Sequence, residues 1–115
     1  MCTQTQLKKI TDEVSLSVQK TLGDRLYNII LYGSYARGDY DDESDVDIMV
    51  LADVRDDEID KLEHEIDKVS SDVSLENGVT VCVMLYNKRL FESRMQISPF
   101  YRNVMNDGVA LYAVQ

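Results

Sequence analysis

Basic charge is scarce in this chain. Of 115 residues, 12 are Lys or Arg against 21 Asp or Glu, a formal net charge of −9. A protein that tracks nucleic-acid phosphates carries a basic stripe, and none is visible here, so direct contact with nucleic acid is not expected. The deficit does not extend to a single nucleotide, because a divalent cation inverts the local field. Cysteine is sparse too. Cys2 lies near the N-terminus and Cys82 inside an apolar run, which argues against a disulfide framework. The one histidine, His64, has no second histidine to complete a ligand set and reads as a solvent-facing residue of a charged helix. No apolar stretch approaches the roughly 20 residues that span a bilayer. Lys8 and Lys9 are followed by polar residues and not by the apolar block of a signal peptide. These absences predict a cytoplasmic protein with no membrane partner. The length predicts one domain, residues 1–115, without repeat, low-complexity tract or linker.

What is present is a succession of apolar periods. Leu7, Ile10, Val14, Val18 and Leu22 recur at helical spacing and predict an amphipathic helix over 3–22, stopped by Gly23 and Asp24. Leu26 to Tyr32, broken only by Asn28, reads as a buried strand. Residues 33–44 read as a loop, with room for one helical turn, and 45–51 as a second strand. Ile59, Leu62, Ile66, Val69 and Val73 mark a second long helix that ends at Asn77-Gly78. Val79 to Leu85 is a third apolar strand, and 87–95 a short helix carrying Leu90 and Phe91. Ser98-Pro99 opens a further helix that Gly108 closes. Its large side chains, Phe100, Tyr101, Val104 and Met105, are expected to pack it onto the sheet, with any exposed remainder serving a partner. Val109 to Ala113 is the last candidate strand. Helix, strand, loop, strand, helix, strand, helices and strand make a mixed α/β (α+β) domain.

The chemistry concentrates in Leu31-Tyr32-Gly33-Ser34-Tyr35-Ala36-Arg37-Gly38 and Ser44-Asp45-Val46-Asp47-Ile48-Met49-Val50. Gly33 lets backbone approach an anion closely, since it has no Cβ. Ser34 adds a hydroxyl and Arg37 a planar cation for phosphate oxygens. Asp45 and Asp47, two apart in a strand, project from one face with Cα atoms roughly 6.5–7 Å apart. Two like charges about 5 Å apart at an effective dielectric near 20 repel by roughly 3 kcal/mol. A cation relieves that repulsion, and Mg2+ suits such a pair because it takes oxygen ligands and keeps water and substrate phosphates as the remainder. Asp-x-Asp alone fits an ordinary solvated strand face better than a site. The joint occurrence with Gly-Ser and Arg-Gly favours a site. Asp39, Asp41, Asp42 and Glu43 read as a solvated loop. Tyr32, Tyr35 and Tyr40 could stack on a base, though Tyr32, at a strand end, reads more simply as core.

Gly33-Ser34-Tyr35-Ala36-Arg37-Gly38 followed by Ser44-Asp45-Val46-Asp47 resembles the signature of the DNA polymerase beta-like nucleotidyltransferase superfamily. More closely, it is similar to the minimal, antitoxin-like nucleotidyltransferases of prokaryotes. The strong match covers Leu31 to Val50, 20 of 115 residues. The resemblance implies a mixed sheet with helices packed on it and an open active-site face. It implies transfer of a nucleoside monophosphate from a nucleoside triphosphate, with ATP the expected donor, to an acceptor hydroxyl on a protein or small molecule. Gly33 and Ser34 would hold the triphosphate with help from Arg37, and the catalytic pair Asp45 and Asp47 would bind Mg2+. It also implies a second reading, a non-catalytic or weakly catalytic antitoxin that masks a small helical HEPN-type partner.

One departure stands out. Catalytically competent members of that family place a third carboxylate on the strand corresponding to Val79–Leu85, and this strand contains no acid. Thr80, Cys82 and Met84 share its face, so Cys82 or Thr80 takes the acid's place. Cys82 is read as a small buried core residue in preference to a substitute base. Losing general-base help, typically ~10²–10⁴-fold, would leave a slow enzyme or a nucleotide binder. An antibiotic-modifying enzyme fits less well, since such enzymes usually add a domain for the acceptor.

Overall fold

A computed structural model describes residues 3–41 and 43–113. Cys2 and Asp42 therefore lie outside the described residues. In chain order the elements are α1 (Gln4–Leu22), a 3₁₀ turn (Gly23–Arg25), β1 (Leu26–Tyr32), α2 (Ser34–Arg37), β2 (Val46–Ala52), α3 (Ile59–Asn77), β3 (Val81–Asn87), α4 (Lys88–Met95), α5 (Pro99–Asp107) and β4 (Val109–Ala113). The strands form one mixed sheet in the order β3-β2-β1-β4. β1 runs antiparallel to both β2 and β4, while β2 and β3 are parallel. Parallel neighbours need a crossover connection, which α3 supplies.

α1 starts where Thr3 accepts a hydrogen bond from the Gln6 amide at 3.0 Å, the N-cap that a Thr before an apolar stripe provides. It buries Leu7, Ile10, Val14, Val18 and Leu22. α3 buries Leu62, Ile66 and Val73, then ends at Gly78, whose φ of 64° and ψ of 22° place it in the left-handed region. The two helices lie together, with the Gln6 side-chain Nε2 donating to the Asn77 backbone carbonyl at 3.0 Å. They cover one sheet face, where Ile29 and Leu31, Val46, Ile48 and Val50, and Val81 and Val83 form the main core. A bulge between Leu26 and Asn28 lets Leu26 join that face despite the two-residue period.

The opposite face is only half covered. Ile30, Met49 and Leu51 are packed by Phe91 of α4 and Val104 of α5. Further along, the register aligns Tyr32, Asp47 and Cys82 across three adjacent strands. That row stands at the margin of the buried cluster, with Tyr32 packed against it, and carries the chemistry. Of the large side chains of α5, Val104 and Tyr101 pack inward, whereas Phe100 and Met105 remain exposed.

β2 and β3 are each displaced along the chain from the sequence expectation. β2 begins at Val46 and not Asp45, because its first ladder pair is Val46 with Val81 of β3, followed by Asp47 with Tyr32 of β1. β3 begins at Val81 and not Val79, because Val79 and Thr80 carry the chain away from Gly78, and it continues to Asn87 beside Ala52. The outer edge of β3 is tied to α3. The Val81 amide donates to Ser74 Oγ at 2.9 Å and the Val83 amide to Ser70 Oγ at 2.9 Å. Ser74 Oγ in turn donates to the Val81 carbonyl at 3.2 Å. These bonds occupy backbone groups that an edge strand otherwise leaves open.

Candidate active site

The site begins where β1 ends. Gly33 has φ 76° and ψ −156°, a region that only glycine enters without strain. A Cβ built there would lie 2.5 Å from Asp47 Oδ2, so the Gly33 backbone and the Asp47 carboxylate are in direct apposition. Glycine is required twice over, for conformation and for space. The Gly33 carbonyl then accepts from the Ala36 amide at 3.2 Å and the Arg37 amide at 3.1 Å, closing the single turn of α2. Gly38, at φ 83° and ψ 9°, ends it. This turn sets Ser34 beside Gly33, half-buried, and leaves Arg37 on the solvent side. Arg37 Nε donates to Asp39 Oδ2 at 3.2 Å in an exposed pair.

Asp47 is half-buried on β2, whereas Asp45 is exposed just before it. Burial pushes the Asp47 carboxyl up from its ordinary range, the Asp45 charge adds to the rise, and the Arg37 guanidinium opposes it. The Asp47 charge is thus only partly relieved by that guanidinium. Tyr32, the β1 neighbour of Asp47, has its phenol raised by burial first and by Asp47 second. Cys82, the β3 neighbour, has its thiol raised by burial, then by Asp47, Asp45 and Asp67.

Cys82 departs from the sequence reading of a buried core residue. It is partly exposed, on the same open face as Asp47. The alternation places the main-core contacts on Val81 and Val83, and Cys82 belongs to neither apolar cluster. Its thiol stays protonated at neutral pH, which suits neither a base nor a nucleophile. Thr80 stands before the strand, with its carbonyl accepting from the Val46 amide at 2.9 Å. His64 is exposed as expected. Tyr35 and Tyr40 stack on one another at 4.4 Å between ring centroids, with Tyr35 buried.

Gly33, Arg37 and Asp47 line one cleft of about 300 Å³ together with Tyr32, and α5 forms the opposite wall. Sequence reasoning missed that wall by assigning the large α5 side chains to packing. The available signal was a helical face of mixed character, spaced at three and four residues. Among the described residues, no group of three or more His, Cys, Asp or Glu side chains is placed to hold a metal. No helix among them is long and apolar enough to cross a membrane.

A glycine bend against a strand carboxylate, on the half-open face of a mixed sheet, is the arrangement of a nucleotidyltransferase. The chain belongs to that family: the nucleotidyltransferase domain model matches residues 8–111. It is an enzyme of that class. A Methanocaldococcus jannaschii protein named "putative protein adenylyltransferase" is 37% identical over 105 residues, covering 91% of this chain and 96% of that one. Among solved structures, a "putative nucleotidyltransferase" from Sulfolobus solfataricus matches with a TM-score of 0.64 at 19% identity, over 96% of this chain and 83% of that one. A chain from the complex of the tri-AMPylated Shewanella oneidensis HEPN toxin with MNT antitoxin matches with a TM-score of 0.54 at 15% identity, over 94% and 73%. At these identities the two structures establish the fold.

Proposed function

We propose that this chain, working as one minimal domain over residues 1–115, is a protein adenylyltransferase that moves AMP from Mg-ATP to an acceptor hydroxyl. The observation that carries this is the apposition of the Gly33 backbone and the Asp47 carboxylate at the cleft. The name of the M. jannaschii relative supports the nucleotide and acceptor classes.

Asp45 and Asp47 fit Mg2+. They offer two carboxylates two residues apart, mutually repelling, and leave the remaining ligand places to water and phosphate, as that ion prefers. When bound, the ion supplies charge neutralisation at the phosphates and orients the attacking and leaving oxygens. Gly33 admits the triphosphate close to the backbone, the Ser34 hydroxyl donates to a phosphate oxygen, and Arg37 adds positive charge at the solvent side. The acceptor oxygen forms a bond to the α-phosphorus as the bond to pyrophosphate breaks. Its proton passes to water, since Cys82 holds its own. Transfer of label from α-labelled ATP, in wild type and in Asp45→Asn and Asp47→Asn, tests this. Loss of at least ~10²-fold in both variants is expected, in line with the loss of a group that organises the transferring phosphate. Equal transfer in all three would remove the two carboxylates from the mechanism.

A second reading has support in the absence of an acid at Cys82 and in the MNT–HEPN complex among the fold's neighbours. Here the chain binds a small helical HEPN-type toxin and neutralises it by masking, with AMP transfer slow or dispensable. Co-expression with such a partner separates the two. Neutralisation that survives Asp45→Asn favours masking, and neutralisation lost with Asp45 favours modification.

A further inference from the structure

α5 presents Phe100, Asn103, Val104 and Asp107 to the cleft, facing Tyr32, Gly33, Arg37 and Asp47. Their spacing of three, four and seven residues puts them on one helical face, which spans roughly 10 Å at 1.5 Å per residue. The face is divided by chemistry. Val104 is buried with Ile30 and Met49 and fixes the helix to the sheet. Phe100 meets Tyr32 edge to face, at 6.2 Å between centroids and 86° between planes, yet stays 48% exposed. An aromatic surface therefore remains for a flat ligand. Asn103 and Asp107 are exposed and make no side-chain hydrogen bond or ion pair among the described residues.

The two walls differ in charge: Arg37 stands beside Asp47 on one, and Asp107 alone on the other. The wall with Gly33 and Arg37 suits phosphate. The α5 wall carries no cation on this face, and the Asp107 carboxylate would repel phosphate while accepting hydrogen bonds from hydroxyl groups. A cleft of about 300 Å³ lies at the small end of the range of roughly 300–1,000 Å³ for ligand pockets. It suits part of a nucleotide, with the phosphates continuing toward Gly33. The acceptor is left the other flank of Asp47, where Cys82 and Met84 are open to solvent.

We propose that this α5 face is the nucleoside-binding wall of the site: Phe100 stacks on the base, Asn103 reads its edge with one donor and one acceptor, and Asp107 accepts from the sugar hydroxyls. The assignment rests on the nucleotidyltransferase reading of the Gly33–Asp47 cleft and adds to it the residues that distinguish a nucleotide from bare polyphosphate.

Calorimetric titration separates the two. The probes are Mg-ATP, Mg-tripolyphosphate, which lacks the nucleoside, and Mg-2′,3′-dideoxy-ATP, which lacks the hydroxyls. Phe100→Ala and Asn103→Ala should each weaken Mg-ATP by about 10-fold, the scale of a lost stacking or hydrogen-bonding partner, while Mg-tripolyphosphate stays within about 2-fold. Asp107→Asn should weaken Mg-ATP and leave the dideoxy analogue unchanged. Asn103→Ala alters only an exposed side chain, so it answers the question even if Phe100→Ala disturbs the aromatic packing. If these variants bind Mg-ATP like wild type, or lose tripolyphosphate in parallel, the nucleoside wall is overturned while the phosphate site stands. If wild type binds neither ATP nor tripolyphosphate, the reading of the cleft falls and takes the wall with it.

Discussion

Replacing Gly33 by alanine probes conformation and catalysis at one atom. The new methyl enters at φ 76° and ψ −156°, where a non-glycine residue costs about 1–3 kcal/mol of backbone strain. It also arrives 2.5 Å from Asp47 Oδ2, closer than carbon and oxygen can sit, so the carboxylate must retreat by about half an ångström or more. Gly78→Ala is the internal control. Gly78 also has positive φ, at 64°, but a Cβ there meets nothing within 4 Å. Its cost should be about 1–2 kcal/mol of left-handed backbone and nothing else. Urea denaturation should therefore show both variants destabilised, Gly33→Ala at least as much as Gly78→Ala. AMP transfer, assayed where both are fully folded, should separate them: Gly78→Ala near wild type, and Gly33→Ala down by about 10²-fold, the scale on which a misplacement of order 1 Å acts. If Gly33→Ala transfers AMP at the wild-type rate, Asp47 does not need the position it holds against the glycine, and the argument from apposition fails.

Cys82→Ala should leave AMP transfer within about 3-fold of wild type, far inside the ~10²–10⁴-fold worth of a general base, because the thiol is held protonated. A larger loss would give Cys82 a chemical role. Phe91→Ala removes a ring that is 1% exposed, at the centre of the smaller apolar cluster. It should cost about 3–5 kcal/mol by urea titration, and a cost below 1 would mean that α4 is not anchored there. Glu58 accepts from the Arg55 amide at 3.0 Å and faces Arg25, which hold its carboxyl below the ordinary value of about 4.5. Its ionised form is therefore favoured by folding: that stability is complete above about pH 4.5 and fades as the pH falls through the lower folded value. The gap in urea midpoint between wild type and Glu58→Gln should be present at pH 7 and close toward pH 3. A gap of constant size would refute the assignment.

Much of the molecule is legible in its sequence because periodicity and punctuation agree. The stripe from Leu7 to Leu22, the strand from Leu26 to Tyr32 and the Ser98-Pro99 start of α5 all stand where residue spacing puts them. The displacement of β2 and β3 was not legible, since strand ends depend on which backbone groups a neighbour offers. Val46 is the first residue of β2 because Val81 of β3 offers it a partner, and Asp45 has none in either ladder. Cys82 was misread for a related reason. An apolar run marks a strand without saying which of its residues the helices cover on the second face, and here the second cluster leaves Cys82 out. The motif from Gly33 to Asp47 announced a class of chemistry. It contained nothing about α5, some 55 residues further along, whose face meets the motif only through tertiary packing.

The serine side chains that fasten α3 to β3 carry a consequence for how a protein substrate could be met. Val81 and Val83 already spend their outward amides on Ser74 and Ser70, beside the very stretch that flanks Asp47. An incoming polypeptide cannot lengthen the sheet there as a fifth ribbon without first dislodging a helix. Its target hydroxyl must instead descend from above, over the open ground around Cys82 and Met84. A tip, a tail or a protruding loop can make that approach, whereas a side chain lying within a flat sheet cannot.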